Sequence, residues 1–286
     1  MEKRTHLPNL KRIRIQTIVK KEKEVMAEND CEDYEELGAP DAKIVQMKDI
    51  EMDDPLLICG FPSAGLVGSI AANTIIDQFE MEQIAFLRSK HIPSAAVFFE
   101  GRLRHPFRIY ASKDKNLLVA TTELPVNKSG LYEVTSCLLD WARSLGSTET
   151  VVLDGIPVRG IPSDRKVLYA TEEEKMAEFE NVEELEILQK GVITGIAGSI
   201  LKETLTRKMI GFTFLTPAVS VVPDPKGAIK LLHVVDKLYD IDIDTSELEE
   251  SAEQIKQKMR EMAEQVEGMR QQQDEAGKTG FQRLYA

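Results

Sequence analysis

The chain predicts an α/β fold in which a mixed sheet is flanked by helices, extended by a long C-terminal helix with a heptad repeat. Three features predict it. Strand-length apolar runs alternate with helix-length segments between residues 43 and 245; two neighbouring short runs read as an antiparallel hairpin; and from Leu248 onward apolar positions recur at 3-4 spacing. A chain of 286 residues that is 42% hydrophobic fits one large domain or two small ones.

Residues 1–42 form a polar leader, basic from Lys3 to Lys23 and acidic from Glu28 to Glu36. Ile13, Ile15 and Val19 alternate with polar neighbours, which suits either an edge strand guarded by basic side chains or a disordered arm. The regular pattern then begins. Leu56-Leu57-Ile58-Cys59 reads as a buried strand, Gly60 to Gly65 as a turn and Leu66 to Phe79 as a helix rich in small residues. Ile84 to Arg88 is the next strand. Ala95 to Phe99 and Phe107 to Ala111 read as the arms of a hairpin bridged by Gly101-Arg102-Leu103-Arg104. Leu117 to Thr122 is a strand, Leu131 to Leu145 an amphipathic helix carrying Trp141, and Thr150 to Leu153 a strand entering a turn at Asp154-Gly155-Ile156-Pro157. The acidic stretch Glu172 to Glu186 predicts an exposed helix and loop. Gly195 to Thr206 (helix), Met209 to Leu215 (strand) and Ala228 to Tyr239 (helix) complete a core domain over residues 43–245. This alternation puts helices on both faces of the sheet.

Beyond it, Leu248, Ile255, Met262 and Met269 fall seven apart, with Ala252, Met259 and Val266 four beyond each of the first three. Over residues 246–273 this predicts a helix whose seam either pairs with another copy or lies on its own domain. Leu248, Ile255, Met259, Met262 and Val266 are the candidate oligomerisation residues. Residues 274–286 contain Gly277 and Gly280 and form a tether with a reach of about 45 Å.

Composition excludes several classes. A net charge of −12 lacks the clustered basic surface that a nucleic-acid ligand requires. Cys31, Cys59 and Cys137 are scattered, without zinc or disulfide spacing. No apolar run reaches the length of a membrane span and no signal-peptide core opens the chain, so a cytoplasmic protein is expected. His6, His91, His105 and His233 are dispersed, none beside a nucleophile or second ligand in sequence, so neither a metal nor a cofactor is expected. Gly60 to Gly68 has GxxxxG spacing, but Leu66 and Val67 stand where a P-loop carries Lys and Ser/Thr. Ser63 lacks the GxSxG frame of a nucleophile elbow. Close helix-strand packing explains these glycines, although the turn also has the form of an anion site. Arg102, Arg104, His105 and Arg108 make the densest basic cluster in the domain, suited to an acidic partner or to edge protection.

Residues 60 to 76, GFPSAGLVGSIAANTII, resemble the first β-turn-α unit of the proteasome assembly chaperone family, particularly its archaeal homologues. Ile92-Pro93, Gly101-Arg102, Asp154 to Pro157 and Gly191 to Gly198 follow in the order that family shows, so the resemblance spans roughly residues 44 to 240. It implies a sandwich similar to purine nucleoside phosphorylases and homo-oligomers that bind the proteasome core. The ending Leu284-Tyr285-Ala286 resembles the hydrophobic-Tyr-X tail by which proteasome activators and assembly factors dock between α-subunits. There an apolar side chain, a rigid ring and a terminal carboxylate are recognised together. The expected protein is a non-enzymatic, ATP-independent assembly chaperone or gate-opening activator of the core particle. The competing reading is an enzyme of nucleoside-phosphorylase-like fold that takes a small anionic substrate at the Gly60 to Gly68 turn.

Overall fold

The computed structural model describes residues 36–37, 41–99, 101–220 and 222–250, with single helical positions at 252, 254, 257, 261 and 264. The strands are β1 (Glu36–Leu37), β2 (Ala42–Gln46), β3 (Leu56–Gly60), β4 (Glu82–Ser89), β5 (Val97–Phe99) and β6 (Arg102–Arg104). They continue with β7 (Phe107–Ser112), β8 (Leu117–Thr122), β9 (Glu149–Pro157), β10 (Val167–Thr171), β11 (Leu185–Ile187) and β12 (Ile210–Ala218). The helices are α1 (Val67–Gln78), α2 (Leu131–Ser144), α3 (Glu173–Phe179), α4 (Gly195–Arg207), α5 (Pro225–Tyr239) and α6 (Ser246–Glu250).

Ten of these strands form one mixed sheet in the order β1-β2-β4-β7-β8-β3-β9-β12-β10-β11. The centre, β8-β3-β9-β12, is parallel; β1, β2, β4 and β7 make an antiparallel wing, and β10 with β11 closes the far edge. Parallel strands covered on both faces need apolar residues at every position, which is why Leu56-Leu57-Ile58-Cys59 carries no polar alternation. Leu56 and Ile58 face the core beneath α1 and α5, while Leu57 and Cys59 face the core beneath α2 and α4. On the first face Phe179 packs edge-on against Tyr169, Phe212 and Phe214 at centroid distances of 5.3, 5.1 and 5.4 Å. On the second, Trp141 is fully buried and its indole N–H donates to Gln46 Oε1 at 3.1 Å, fastening α2 to the wing. Asp224 caps α5 by accepting from the Gly227 N–H at 3.0 Å, with Pro225 in the first turn.

The mixed sheet flanked by helices is as expected, with four local corrections. The hairpin is β5 with β6, turned tightly through Gly101 at φ +74°, so Arg102 to Arg104 is a strand and not a bridge. Phe107 to Ser112 joins the main sheet between β4 and β8, because its first five residues are all buried and need cover on both faces. Asp154 to Pro157 does not turn. Strand β9 runs on through Pro157, paired with β12 from Glu149↔Ile210 to Pro157↔Ala218. The acidic stretch holds a short helix as expected, but Phe179 anchors it in the aromatic cluster and Leu185 to Ile187 becomes an edge strand.

Phe179 is 1% exposed and touches three rings. Phe179→Ala is expected to lower unfolding stability by about 3–5 kcal/mol in urea or guanidinium titrations. A loss below about 1 kcal/mol would show that the cluster collapses around the vacancy.

Candidate functional site

At the carboxyl ends of the parallel strands, where open α/β sheets hold their ligands, the chain leaves β3 at Gly60 and enters α1 through a 3-10 turn, Ala64–Leu66. Gly65 (φ +64°) and Leu66 (φ +51°) bend it through the left-handed region. A Cβ at Gly60 would overlap the Gly68 carbonyl, one at Gly68 the Leu153 carbonyl, and one at Gly155 the Ala64 carbonyl. Backbone therefore lies against backbone. These glycines serve packing.

The polar groups around this turn are mostly engaged with one another. The Arg165 guanidinium donates through Nη1 and Nη2 to the Asp224 carboxylate at 3.2 and 2.5 Å, and through Nε to Thr216 Oγ1 at 2.9 Å, in a pair 8% and 9% exposed. The Asp224 N–H donates to the Gly65 carbonyl at 2.8 Å, so this ion pair locks the turn to the start of α5. The Asp154 carboxylate accepts from the Gly155 N–H at 2.7 Å. Burial pushes the Asp154 carboxyl above its ordinary value, and the Ser63 hydroxyl and Gly155 N–H offset part of the rise. Ser63 Oγ is itself buried and reaches no partner in hydrogen-bond geometry. The group beside it is the Asp154 carboxylate. The Cys59 and Cys137 thiols are buried, and burial pushes the Cys59 thiol well up, so it is not a nucleophile. A 620 Å³ cleft opens at the other end of the sheet, lined by groups of both signs including Lys48, Glu82, Lys113 and Asp114. Lys48 and Glu82 pair with each other there.

The basic cluster divides. Arg108 is 2% exposed; it donates to Glu123 Oε2, the His105 carbonyl and the Tyr110 hydroxyl, each at 2.8 Å. The His105 ring stacks on Phe86 with centroids 3.6 Å apart. Besides exposed His105, Arg102 is exposed and Arg104 half-buried, with the Arg104 guanidinium 5.0 Å above the Phe99 ring. They share the hairpin with Phe98, Phe99 and Leu103, which are 62%, 47% and 66% exposed, and Phe98 lies opposite Leu103 in register. Sequence reasoning saw the charges and missed this apolar patch. Its signal was the pair Phe98-Phe99 and Leu103 flanking a two-residue turn.

Leu284, Tyr285 and Ala286 lie outside the described residues, as do Ile255, Met259, Met262 and Val266. Leu248 is described: it is 4% exposed and part of the core beneath α5, so its apolar surface is taken up within its own domain. No helix among the described residues is long and apolar enough to cross a membrane.

The described residues form an α/β body with a separate two-stranded hairpin that exposes apolar and basic side chains. Residues 57–263 match the PAC2 family model, and the chain belongs to that family. Three solved structures are similar to it. A protein of unknown function from Thermoplasma acidophilum is 34% identical with a TM-score of 0.73, the match covering 78% of this chain and 91% of that one. PbaA of Pyrococcus furiosus, described as an archaeal homologue of proteasome-assembly chaperone, is 26% identical with a TM-score of 0.72, covering 80% and 99%. PbaB of the same organism, described as an archaeal proteasome activator, is 25% identical with a TM-score of 0.68, covering 79% and 100%.

Asp154 supplies a pH test. Its carboxyl is raised in the folded protein above the ordinary value of 3.8, so folding favours the protonated form. Stability from this group is present at low pH and is lost as pH rises from the ordinary value through the raised one. Asp154→Asn keeps an acceptor for the Gly155 N–H without the charge. In urea titrations between about pH 4 and pH 8, the variant is expected to gain on the wild type as pH rises. A difference that stays flat with pH would contradict the shift.

Proposed function

We propose that this protein is an ATP-independent proteasome-binding factor that docks on the α-ring of the core particle, acting as an assembly chaperone or gate-opening activator. The observation that carries this reading is the family match over residues 57–263 together with the likeness to PbaA and PbaB across nearly the whole of each. Docking is assigned to Leu284, Tyr285 and the Ala286 carboxylate. Leu284 supplies apolar burial, Tyr285 a rigid ring with a polar tip, and the carboxylate a charge for a lysine or backbone N–H groups in the partner pocket. The acting form is a homo-oligomer joined along Ile255, Met259, Met262 and Val266, and it works in the cytoplasm. Several tethered tails then engage one ring together, and avidity replaces strong single contacts. No catalytic centre or cofactor enters this account. The filled glycine turn and the inward use of Arg165 and Asp224 speak against an anionic substrate there.

Core-particle binding and peptide hydrolysis should be measured with the intact chain, with Leu284 to Ala286 deleted, and with one residue appended after Ala286. Deletion is expected to lower affinity at least tenfold. The appended residue should do nearly as much, because it retains every side chain and moves only the carboxylate. Equal binding by all three proteins would end the docking reading.

A further inference from the structure

Asp41, His91 and Glu133 are remote in sequence, and the fold brings one ligand atom from each to within 4.8 Å of the others. Asp41 precedes β2, His91 follows β4, and Glu133 lies in the first turn of α2. We propose that these three residues bind one divalent first-row transition ion, Zn²⁺ by donor chemistry, through His91 Nε2 and one carboxylate oxygen from each acid.

The surroundings hold the imidazole before any ion arrives. A Cβ at Gly130 would overlap the His91 ring, so the ring lies directly on that glycine's backbone. Ser129 Oγ stands 3.3 Å from His91 Nδ1; in the tautomer where it accepts a hydrogen bond from Nδ1–H, Nε2 is left with its lone pair to ligate a cation. The backbone is fixed as well. The His91 N–H donates to Ser89 Oγ at 3.1 Å, the Ser89 hydroxyl donates to the Asp41 carbonyl at 2.7 Å, and the Asn127 N–H donates to the His91 carbonyl at 2.9 Å. One serine hydroxyl thus links the two segments that carry the first two ligands.

The carboxylates are divided between uses. Lys90 Nζ pairs with Asp41 Oδ1 at 2.8 Å, leaving Oδ2 turned to His91 Nε2 at 3.9 Å. That separation is too long for a hydrogen bond. Two ligands about 2.1 Å from a tetrahedral zinc lie roughly 3.4 Å apart, so an ion fits the gap with small side-chain shifts. Glu133 Oε2 is the second pointer. It is buried and has no hydrogen-bond partner, and a carboxylate oxygen withdrawn from water without compensation is costly. A cation between Glu133, His91 and Asp41 supplies the missing interaction. One imidazole with two carboxylates suits Zn²⁺, with Co²⁺ and Mn²⁺ weaker in the same order as their general affinities, and suits Mg²⁺ poorly. Three protein ligands leave one position for water or for a group brought by a partner.

The test uses the tag-free full chain, stripped with chelator and dialysed, titrated with Zn²⁺ by calorimetry and with Co²⁺ by its visible absorption. One equivalent of Zn²⁺ is expected to bind, with Co²⁺ giving the intense visible bands of a tetrahedral site. His91→Ala and Glu133→Gln should each weaken Zn²⁺ at least tenfold, and Ser129→Ala about tenfold through the tautomer. Glu133→Gln changes no volume, so it carries the decision if His91→Ala folds poorly by circular dichroism. Absence of saturable one-to-one binding, equal affinity of Glu133→Gln and wild type, or Mg²⁺ binding as tightly as Zn²⁺ would each overturn the proposal.

Discussion

The approach of α1 to the ends of β3 and β9 sets the rest of the molecule. It requires backbone to meet backbone, and Gly60, Gly68 and Gly155 permit it by having nothing at Cβ. Once α1 is seated, Val67 and Ile70 enter the core, and Gly65 presents the carbonyl that receives the Asp224 N–H. Asp224 then caps α5 and anchors Arg165, so the second helix of that face and the segment leading into β10 take their positions from the same contact. At this turn the Cβ positions of three glycines are taken by the protein's own backbone, and the region becomes a keystone of the fold.

Much of this was legible in the residues. Strands such as Leu56 to Cys59 and Leu117 to Thr122 are continuous apolar runs because helices cover both faces, and such runs mark themselves. The amphipathic helix of Trp141 and the helix from Ala228 to Tyr239 were equally plain. What hid was pairing. Phe107 to Ala111 looks like a hairpin arm in isolation, yet its burial on both sides depends on β4 and β8, which are distant in sequence. Gly155 reads as a turn residue, and only the position of Ala64 explains it as a packing residue within a strand. The strands at Val167 and Leu185, the second at the sheet's edge and the first next to it, are five and three residues long, too short to show a period of their own.

The candidate site followed the same division. Charge type was readable, but charge orientation was not. Arg108 belongs to the same sequence cluster as Arg102 and Arg104, and the strand it sits on turns it inward to Glu123 and Tyr110. Leu248 fits a heptad by spacing, and its side chain is packed in the core beneath α5. In both cases a one-dimensional pattern is satisfied by two environments that only tertiary contacts separate. His91 is the converse case. Nothing beside it in sequence suggests a ligand set, and the neighbours that give it meaning come from a strand entry and a helix start.

The hydrogen bond from Trp141 to Gln46 has a use beyond fastening a helix. The chain contains a single tryptophan, wholly enclosed and bonded to the antiparallel wing. Its fluorescence therefore reports one place, the seam between α2 and β2. Any event that loosens that seam would alter the emission without an introduced label. The molecule carries its own optical gauge of the contact between α2 and the antiparallel wing.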